Sequence, residues 1–544
     1  MATKETAALE THHLEDMKSP QDGVHVTSPS DYPELPWLQY LKKRRRVILR
    51  MSVIYFAVLN IGFDLSVTNT TLGMSSFRRY FGHQDAQGQW FIPATYQSAW
   101  AGGTQGGQVV TDLLGGWLAD RYGRKTTLTL SVLVVIIAST LQVASQSIAM
   151  IIAGKIVFGM GVGLYISFIT SYTAELAPYR MRGVACMAVN FCIQVGNWIG
   201  SGAALGLVSR YPDVNDNRAF RIVFSLQYIF AALFLLTVYW LPESPMFYVH
   251  KEEAGMAEKV VRQIYGLEYD AQRHVAFLFQ EHKAEQKMRK VGRSISYLEL
   301  FKGRNLVRLV ISACIIWPLF MGTSFWPAYQ TYYFQLAGAA NPQAMNYGCT
   351  SVAIGTSIAA YFLIETVGRR KLWLIGCAGM TASNLIGGFM YIPQSQGQKA
   401  IAGKVATAMV FIWNGFYDIG PANMGYAITS EVPSGRMRVR NNAFVHVFSH
   451  LVGFAFSYAV PYMYNPDAGD LGLRIGFIWG GFGILFLIWG FFYVPDLTGF
   501  NFYEIDQLFE SMAPIRNFHK AKFGDQDILI LSSVGKEPGE GGVP

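Results

Sequence analysis

Asp64 stands inside an apolar run, in Gly62-Phe63-Asp64. A carboxylate there is costly unless it is paired, protonated or facing water. An acid held between a desolvating setting and a nearby cation can load and release a proton. Two charged turns form a second feature. Leu118-Ala119-Asp120-Arg121-Tyr122-Gly123-Arg124-Lys125 separates two long apolar runs, and Glu365-Thr366-Val367-Gly368-Arg369-Arg370-Lys371 repeats the pattern downstream. Two further blocks also echo each other: Glu175 to Arg182, with Pro178 and Arg180 between, and Glu431 to Arg438, with Pro433 and Arg436 between. Pro242-Glu243-Ser244-Pro245 closes the first half of the chain, and Pro495-Asp496-Leu497-Thr498-Gly499 closes the second. Arginine and carboxylate can join bidentately and so tie helix ends together; their plainer role is to set topology. His446 and His450, four residues apart, suit a metal half-site or a proton relay, although interhelical hydrogen bonding is the commoner use.

These residues need long apolar elements to position them. The chain has 544 residues, 51% hydrophobic and 15% charged. Soluble domains carry about 25% charged residues, so the shortfall points to a polytopic helical membrane protein. Six apolar segments precede residue 245, at 47–70, 93–117, 126–146, 149–173, 184–208 and 221–241. Six more follow, at 306–334, 345–366, 372–393, 403–430, 441–464 and 473–494. Each can cross about 30 Å of hydrocarbon at about 1.5 Å per residue.

Charge sets the orientation. Lys42-Lys43-Arg44-Arg45-Arg46 precedes the first run and holds the N-terminus in the cytoplasm. The turns after even-numbered segments must then be cytoplasmic, and they carry the basic residues: Arg121/Arg124/Lys125, Arg180/Arg182, the loop near 250–308, Arg369/Arg370/Lys371 and Arg436/Arg438/Arg440. Opposite turns such as Ser145–Met150 and Tyr464–Gly472 carry no Lys or Arg. The net charge of +8 is therefore topological and makes no case for nucleic acid. The five cysteines show no close pairing, no G-x-x-x-x-G-K-[ST] loop is present, and no nucleophile–base pair or metal-ligand set emerges. These readings exclude an ATP-driven pump and disfavour an enzyme; no cofactor or metal is expected.

The expected divisions are a disordered cytoplasmic tail at 1–46, a six-helix half at 47–245, a cytoplasmic loop at 246–305, a second half at 306–497 and a cytoplasmic tail at 498–544. Within the loop, Ala254–Tyr265 and Glu281–Lys290 read as amphipathic helices on the membrane surface, and Tyr503–Glu510 reads as another short one. Pro318 and Pro327 predict a discontinuous seventh helix. Asn69-Thr70-Thr71 is a glycosylation sequon, too close to the membrane for use.

The ordered set of Gly62-Phe63-Asp64, Asp120-Arg121-x-Gly123-Arg124-Lys125, Gly159-x-Gly161-x-Gly163, the two Glu…Arg blocks, Pro242-Glu243-Ser244-Pro245 and Gly368-Arg369-Arg370 resembles the sugar porters of the major facilitator superfamily. The resemblance covers about residues 45–520. Pro461-Tyr462-Met463, Gly476-Phe477-Ile478-Trp479-Gly480-Gly481 and Glu504-Ile505-Asp506 are similar to fungal α-glucoside (maltose-type) permeases. It implies an all-α membrane fold of twelve helices in two six-helix pseudo-repeats. It also implies a latch on the cytoplasmic side built from Asp120, Arg121, Arg124, Glu175, Arg182, Glu243, Glu365, Arg369, Arg370, Glu431 and Arg438, with Glu365 replacing the usual Asp.

Asp64 matches the proton-carrying acid of sugar symporters, and Lys155 stands where an Arg is usual, giving a point charge and no fork. A structural ion pair in an uncoupled facilitator is the alternative. For the cargo, Asn190 replaces a Gln, with Gln194 one turn later; Gly322 is kept, but the paired glutamines before it are Pro318 and Leu319, and the Asn after it is Ser324. Trp326, Gln330 and Tyr333 share one helix face by spacing, and Tyr426 replaces a Trp. The candidate cargo residues are thus Asn190, Gln194, Ser324, Gln330 and Tyr426, with interhelical packing the commoner use of any one of them. The expected function is alternating-access transport of a sugar or related polyhydroxylated small molecule across the plasma membrane, coupled to proton import, by a monomer. Transport of quinate or a secondary metabolite, export included, and a non-transporting sugar sensor are the competing readings.

Overall fold

A computed structural model describes residues 36–530 apart from 85–87, 89, 179–180, 267–268, 292–296, 324, 337–338, 393–395, 435–436, 466–467, 498–501, 512–514, 521 and 524–528. Of the tail expected to be disordered at 1–46, residues 1–35 lie outside it, as do the residues beyond 530; Trp37–Lys43 forms a short helix and the first long helix already starts at Arg45, so that expectation is corrected there.

Twelve long helices carry the fold. The first six are α1 (Arg45–Leu72), α2 (Ala94–Tyr122), α3 (Arg124–Val143), α4 (Ile148–Leu176), α5 (Arg182–Arg210) and α6 (Arg218–Trp240). The second six are α7 (Gly303–Thr323, resuming as Trp326–Leu336), α8 (Pro342–Val367), α9 (Arg369–Phe389), α10 (Gln396–Tyr417, a π-turn over Asp418–Ala422, then Asn423–Glu431), α11 (Arg438–Tyr464) and α12 (Ile475–Tyr493). Among the described residues, nine helices are long and apolar enough to cross a membrane. α2, α7 and α10 fall outside that set because polar residues, glycines and breaks dilute them. Apolar side chains such as Leu236, Phe362, Leu485 and Ile488 stay exposed, as a lipid-facing surface requires.

Small residues set the helix spacing. In Gly159-x-Gly161-x-Gly163, Gly159 and Gly163 face the backbone of α2 at Thr104 and Gln108, while Gly161 faces Val135 on α3. Gly62 and Gly196 bring α1 and α5 together, since a Cβ on either would strike the other helix's backbone. In the second half Gly376 of α9 faces Gly420 and Pro421 of α10. Pro421 has no N–H to donate; the chain accommodates it within the π-turn.

The duplicated turn is visible in the backbone. Gly123, between α2 and α3, has φ 100° and ψ 156°; Gly368, between α8 and α9, has φ 89° and ψ 153°. Both values lie in the region that side chains disfavour.

Two further expectations are corrected. Helix 303–323 runs through Pro318, so the discontinuity of α7 lies nearer Pro327, which takes the second position of the resumed helix, where a missing N–H costs nothing. The apolar face of the first loop helix is also turned to protein and not left free for a membrane surface. Ala254–Tyr265 buries Ala257, Val260, Val261 and Ile264 against Val249, against Ala271, Val275 and Leu278 of the helix Ala271–Val291, and against the first turns of α1 near Val47. The Glu281–Lys290 stretch belongs to that longer helix. Phe502–Glu510 likewise packs Ile505, Leu508 and Phe509 against Ile311 and Ile315 of α7.

Gly196→Val should cost about 1–3 kcal/mol through overpacking against Leu59 and Phe63. Gly206→Val, where a Cβ meets nothing within 4 Å, should leave the melting temperature in detergent unchanged. Equal melting of the two variants contradicts this packing account.

Candidate functional site: a buried ion pair and the seam between the halves

α1 and α4 bring Asp64 and Lys155 together. Lys155 is fully buried and Asp64 is 3% exposed, with Nζ 2.6 Å from Asp64 Oδ1. Nζ also donates to Thr68 Oγ1 at 2.8 Å and lies 5.5 Å from the Trp100 ring centroid and 5.7 Å from that of Phe158. Gln227 of α6 donates to Asp64 Oδ1 at 3.4 Å and accepts from Ser139 of α3 at 3.0 Å. Five helices of the first half, α1, α2, α3, α4 and α6, thus converge on one charge pair. Lys155 supplies a single strong contact and leaves its remaining donors to Thr68 and the rings, so the pair is held firmly without the two-pronged geometry of an arginine.

Polar side chains cross the seam between the halves. Gln194 of α5 donates to Asp418 Oδ1 at 2.6 Å, and Asn190 donates to Asn423 Oδ1 at 2.8 Å. Asn423 donates to the Asp418 carbonyl at 2.6 Å. The π-turn thus presents a fully buried carboxylate and an amide to the two sequence-chosen residues of α5. Gln330 is held within the second half, accepting from Asn414 at 3.2 Å. Trp326 stacks edge-on against Tyr333 and donates to Asn384 at 3.0 Å. Tyr426 is placed by its backbone on the last segment of α10, and Ser324 lies outside the described residues.

Sequence reasoning missed two acids. Asp418 lies in the tenth apolar segment. Asp112 of α2, 4% exposed, is hydrogen-bonded to His450 of α11 across the seam. The signal for both was the one used for Asp64, a lone acid in an apolar run.

Away from the basic turns, the seam is closed by Asn69, which donates to Asn346 Oδ1 at 2.8 Å and accepts the Thr331 N–H at 2.9 Å. Gln343 donates to the Thr70 carbonyl at 3.0 Å, and Gln335 to the Gly73 carbonyl at 2.7 Å. Asn69 is 3% exposed and bonded on both sides, so its sequon has no room for a glycan in this conformation.

At the basic end, buried Arg124 lies 3.5 Å from Glu175 and 3.3 Å from exposed Asp120. Ser244 donates to Glu175. Glu243 caps the start of α3, accepting the N–H groups of Arg124 at 2.8 Å and Lys125 at 3.2 Å, and also that of Ser244 at 3.0 Å. A Cβ at position 123 would fall on this carboxylate, so Gly123 serves the contact as well as the turn. Burial pushes the Glu243 carboxyl above its usual range, and the three N–H groups pull it back down.

Arg121 stands apart from this cluster, over the rings of Trp117 and Tyr122. In the second half, Arg370 donates to the carbonyls of Arg516 at 3.0 Å and Phe491 at 2.7 Å. Arg182, Arg369 and Arg438 begin their helices and Glu365 and Glu431 lie at the C-terminal ends of theirs, which the up-and-down order brings to the basic end.

The family described as "Sugar (and other) transporter" matches residues 51–509. The chain belongs to that family. A relative named MFS transporter fmqE, from Aspergillus fumigatus, is 29% identical over 90% of this chain and 92% of its own. The general alpha-glucoside permease of Saccharomyces cerevisiae is 26% identical over 88% and 78%. Among solved structures, the xylose transporter XylE from E. coli in a partially occluded inward open conformation superposes with a TM-score of 0.67 at 19% identity, over 84% of this chain and all of that one. The fold is that of the major facilitator superfamily, and the protein is a multi-pass membrane protein.

Lys155→Met should destabilise the sugar-transporter fold by about 3–5 kcal/mol, because it strands a buried carboxylate. The double variant Asp64→Asn/Lys155→Met should recover much of that loss in thermal unfolding. A single variant as stable as the parent contradicts the reading of this pair.

Proposed function

We propose that the protein is a secondary carrier that moves a sugar or related polyhydroxylated small molecule across the plasma membrane by alternating access, with protons imported alongside the cargo. The observation that carries the coupling is the buried Asp64–Lys155 pair, which lies within one half and takes no part in joining the two. Asp64 takes the proton; Lys155 is its counter-charge and the group that protonation releases. The cargo sits on the seam between the halves, where Asn190 and Gln194 meet Asn423 and Asp418; Ser324, Gln330 and Tyr426 complete the set of cargo residues. Amides beside aromatic faces suit hydroxyls and the C–H faces of a sugar ring. Relatives named for α-glucoside and xylose transport support this substrate class.

The basic end is cytoplasmic, as are both termini, and the protein acts as a monomer with the divisions at 47–245 and 306–497 moving as bodies. Asp120, Arg121, Arg124, Glu175, Arg182, Glu243, Glu365, Arg369, Arg370, Glu431 and Arg438 form the latch on that side. The contacts of Asn69 and Gln343 supply closure at the other face. The halves rock about the seam, exposing it to each side in turn.

A second reading keeps transport and changes the cargo. Pro318 and Leu319 stand where sugar porters carry two glutamines, and Asp418 adds a buried carboxylate; both favour a molecule with fewer hydroxyls, such as quinate or a secondary metabolite.

Uptake of labelled maltose, glucose and quinate in transporter-null cells tests these readings. Concentrative sugar uptake should collapse with a proton uncoupler and in Asp64→Asn. Uptake unchanged after the pH gradient is removed contradicts symport, and quinate uptake without sugar uptake selects the second cargo.

A further inference from the structure

Asp112 and His450 join the two halves by a direct side-chain bond. Asp112 is buried on α2, and among the described residues its Oδ1 has no hydrogen-bond partner, so His450 supplies the one hydrogen bond the carboxylate makes with them. The two helices pack closely on the side of the bond away from the basic ends, with Gly102 and Gly106 of α2 against Tyr458 and Phe454 of α11. At about 1.5 Å per residue, the bond lies roughly 15 Å from the basic end of α2 at Tyr122, well away from the far-end contacts. The basic ends of α2 and α11 cannot part far without breaking it.

We propose that His450 with Asp112 is a second proton-binding site of the transport cycle, placed on the seam, where a proton on His450 holds the halves together and its loss lets the basic ends separate. The proposal rests on the alternating-access reading above. Its chemistry differs from that of Asp64 and Lys155. That pair lies inside one half, where proton loading changes a charge; here loading changes the attraction between the moving bodies. A neutral imidazole offers the carboxylate one hydrogen bond, whereas an imidazolium adds full charge attraction to a buried carboxylate. Histidine is the side chain that ordinarily switches between pH 5 and 8.

His446, one turn back on α11, lies within electrostatic reach of both groups. α7 also packs on α11; of its charges near the basic end, Arg308 is committed to Asp506, and Arg304 lies at the helix start. Asp418 on α10 is committed to Gln194. On α2 itself, Asp120 and Arg121 lie two turns further toward the basic end, with Asp120 beside Arg124. Glu299 lies in the short turn Tyr297–Phe301 before α7.

The test is a spin-label distance measurement on the full chain in nanodiscs, with no cargo added. Labels replace exposed Thr126 and Lys302, one at the basic end of each half, with the five native cysteines changed to alanine. The separated population should rise with pH, by up to about tenfold per pH unit for a one-proton switch. His450→Gln should abolish the pH response, and Asp112→Asn should weaken the low-pH closure. His450→Lys, permanently charged, should stay closed at every pH. Opposite populations in the Gln and Lys variants cannot come from general unfolding. A parent-like response in His450→Gln, or the same population in the Gln and Lys variants, overturns the proposal. So does a response lost in Asp64→Asn but kept in His450→Gln, which would assign the proton to Asp64 alone. A pH-dependent separation without uptake of any labelled compound leaves this site standing and removes the carrier reading.

Discussion

A charge buried among apolar helices has to be answered within the protein, because hydrocarbon offers nothing to solvate it. Asp64 is answered by Lys155 at 2.6 Å, and that need draws α1, α3, α4 and α6 into one arrangement through Thr68, Gln227 and Ser139. The same demand organises the seam. Asp418 is answered by Gln194 and Asp112 by His450, each acid on one half and its partner on the other. The first solution binds a half together; the other two bind the halves to each other.

Close packing lets these contacts form. Glycines at 62, 159, 163 and 196 allow helix backbones to approach until short polar side chains reach across. Gly123 does this at the membrane edge: its left-handed turn and missing side chain admit the Glu243 carboxylate to the first N–H groups of α3, beside Arg124 and Glu175. The basic end is therefore a network of helix caps and ion pairs built on the repeated turn. The second copy of the turn keeps the backbone shape, while Arg370 there ties α9 to main-chain carbonyls at Phe491 and Arg516.

Much of the fold was legible before any coordinates. The apolar runs counted twelve crossings, the basic turns set their orientation, and the echo of Gly123 in Gly368 announced the duplication that recurs in the backbone angles. Asp64 was legible because an acid in an apolar run is conspicuous. Asp112 and Asp418 are equally conspicuous by that rule but sit outside any motif, and their partners come from distant helices that spacing does not bring together. The π-turn that points Asp418 at Gln194 is a response to Pro421 and the close approach of Gly376, which only packing reveals. The loop helices misled for a similar reason: an apolar face of period 3.6 fits a membrane surface and a protein groove equally well, and Ala254–Tyr265 found the groove.

The central claim is that Asp64, set against Lys155, couples proton entry to cargo entry. Purified protein in liposomes loaded with a pH-sensitive dye, given an inward maltose gradient and no pH gradient, tests it directly. The account predicts that the lumen acidifies as maltose enters through the parent protein, and that Asp64→Asn admits maltose without acidification. Acidification by Asp64→Asn at the parent's rate contradicts it.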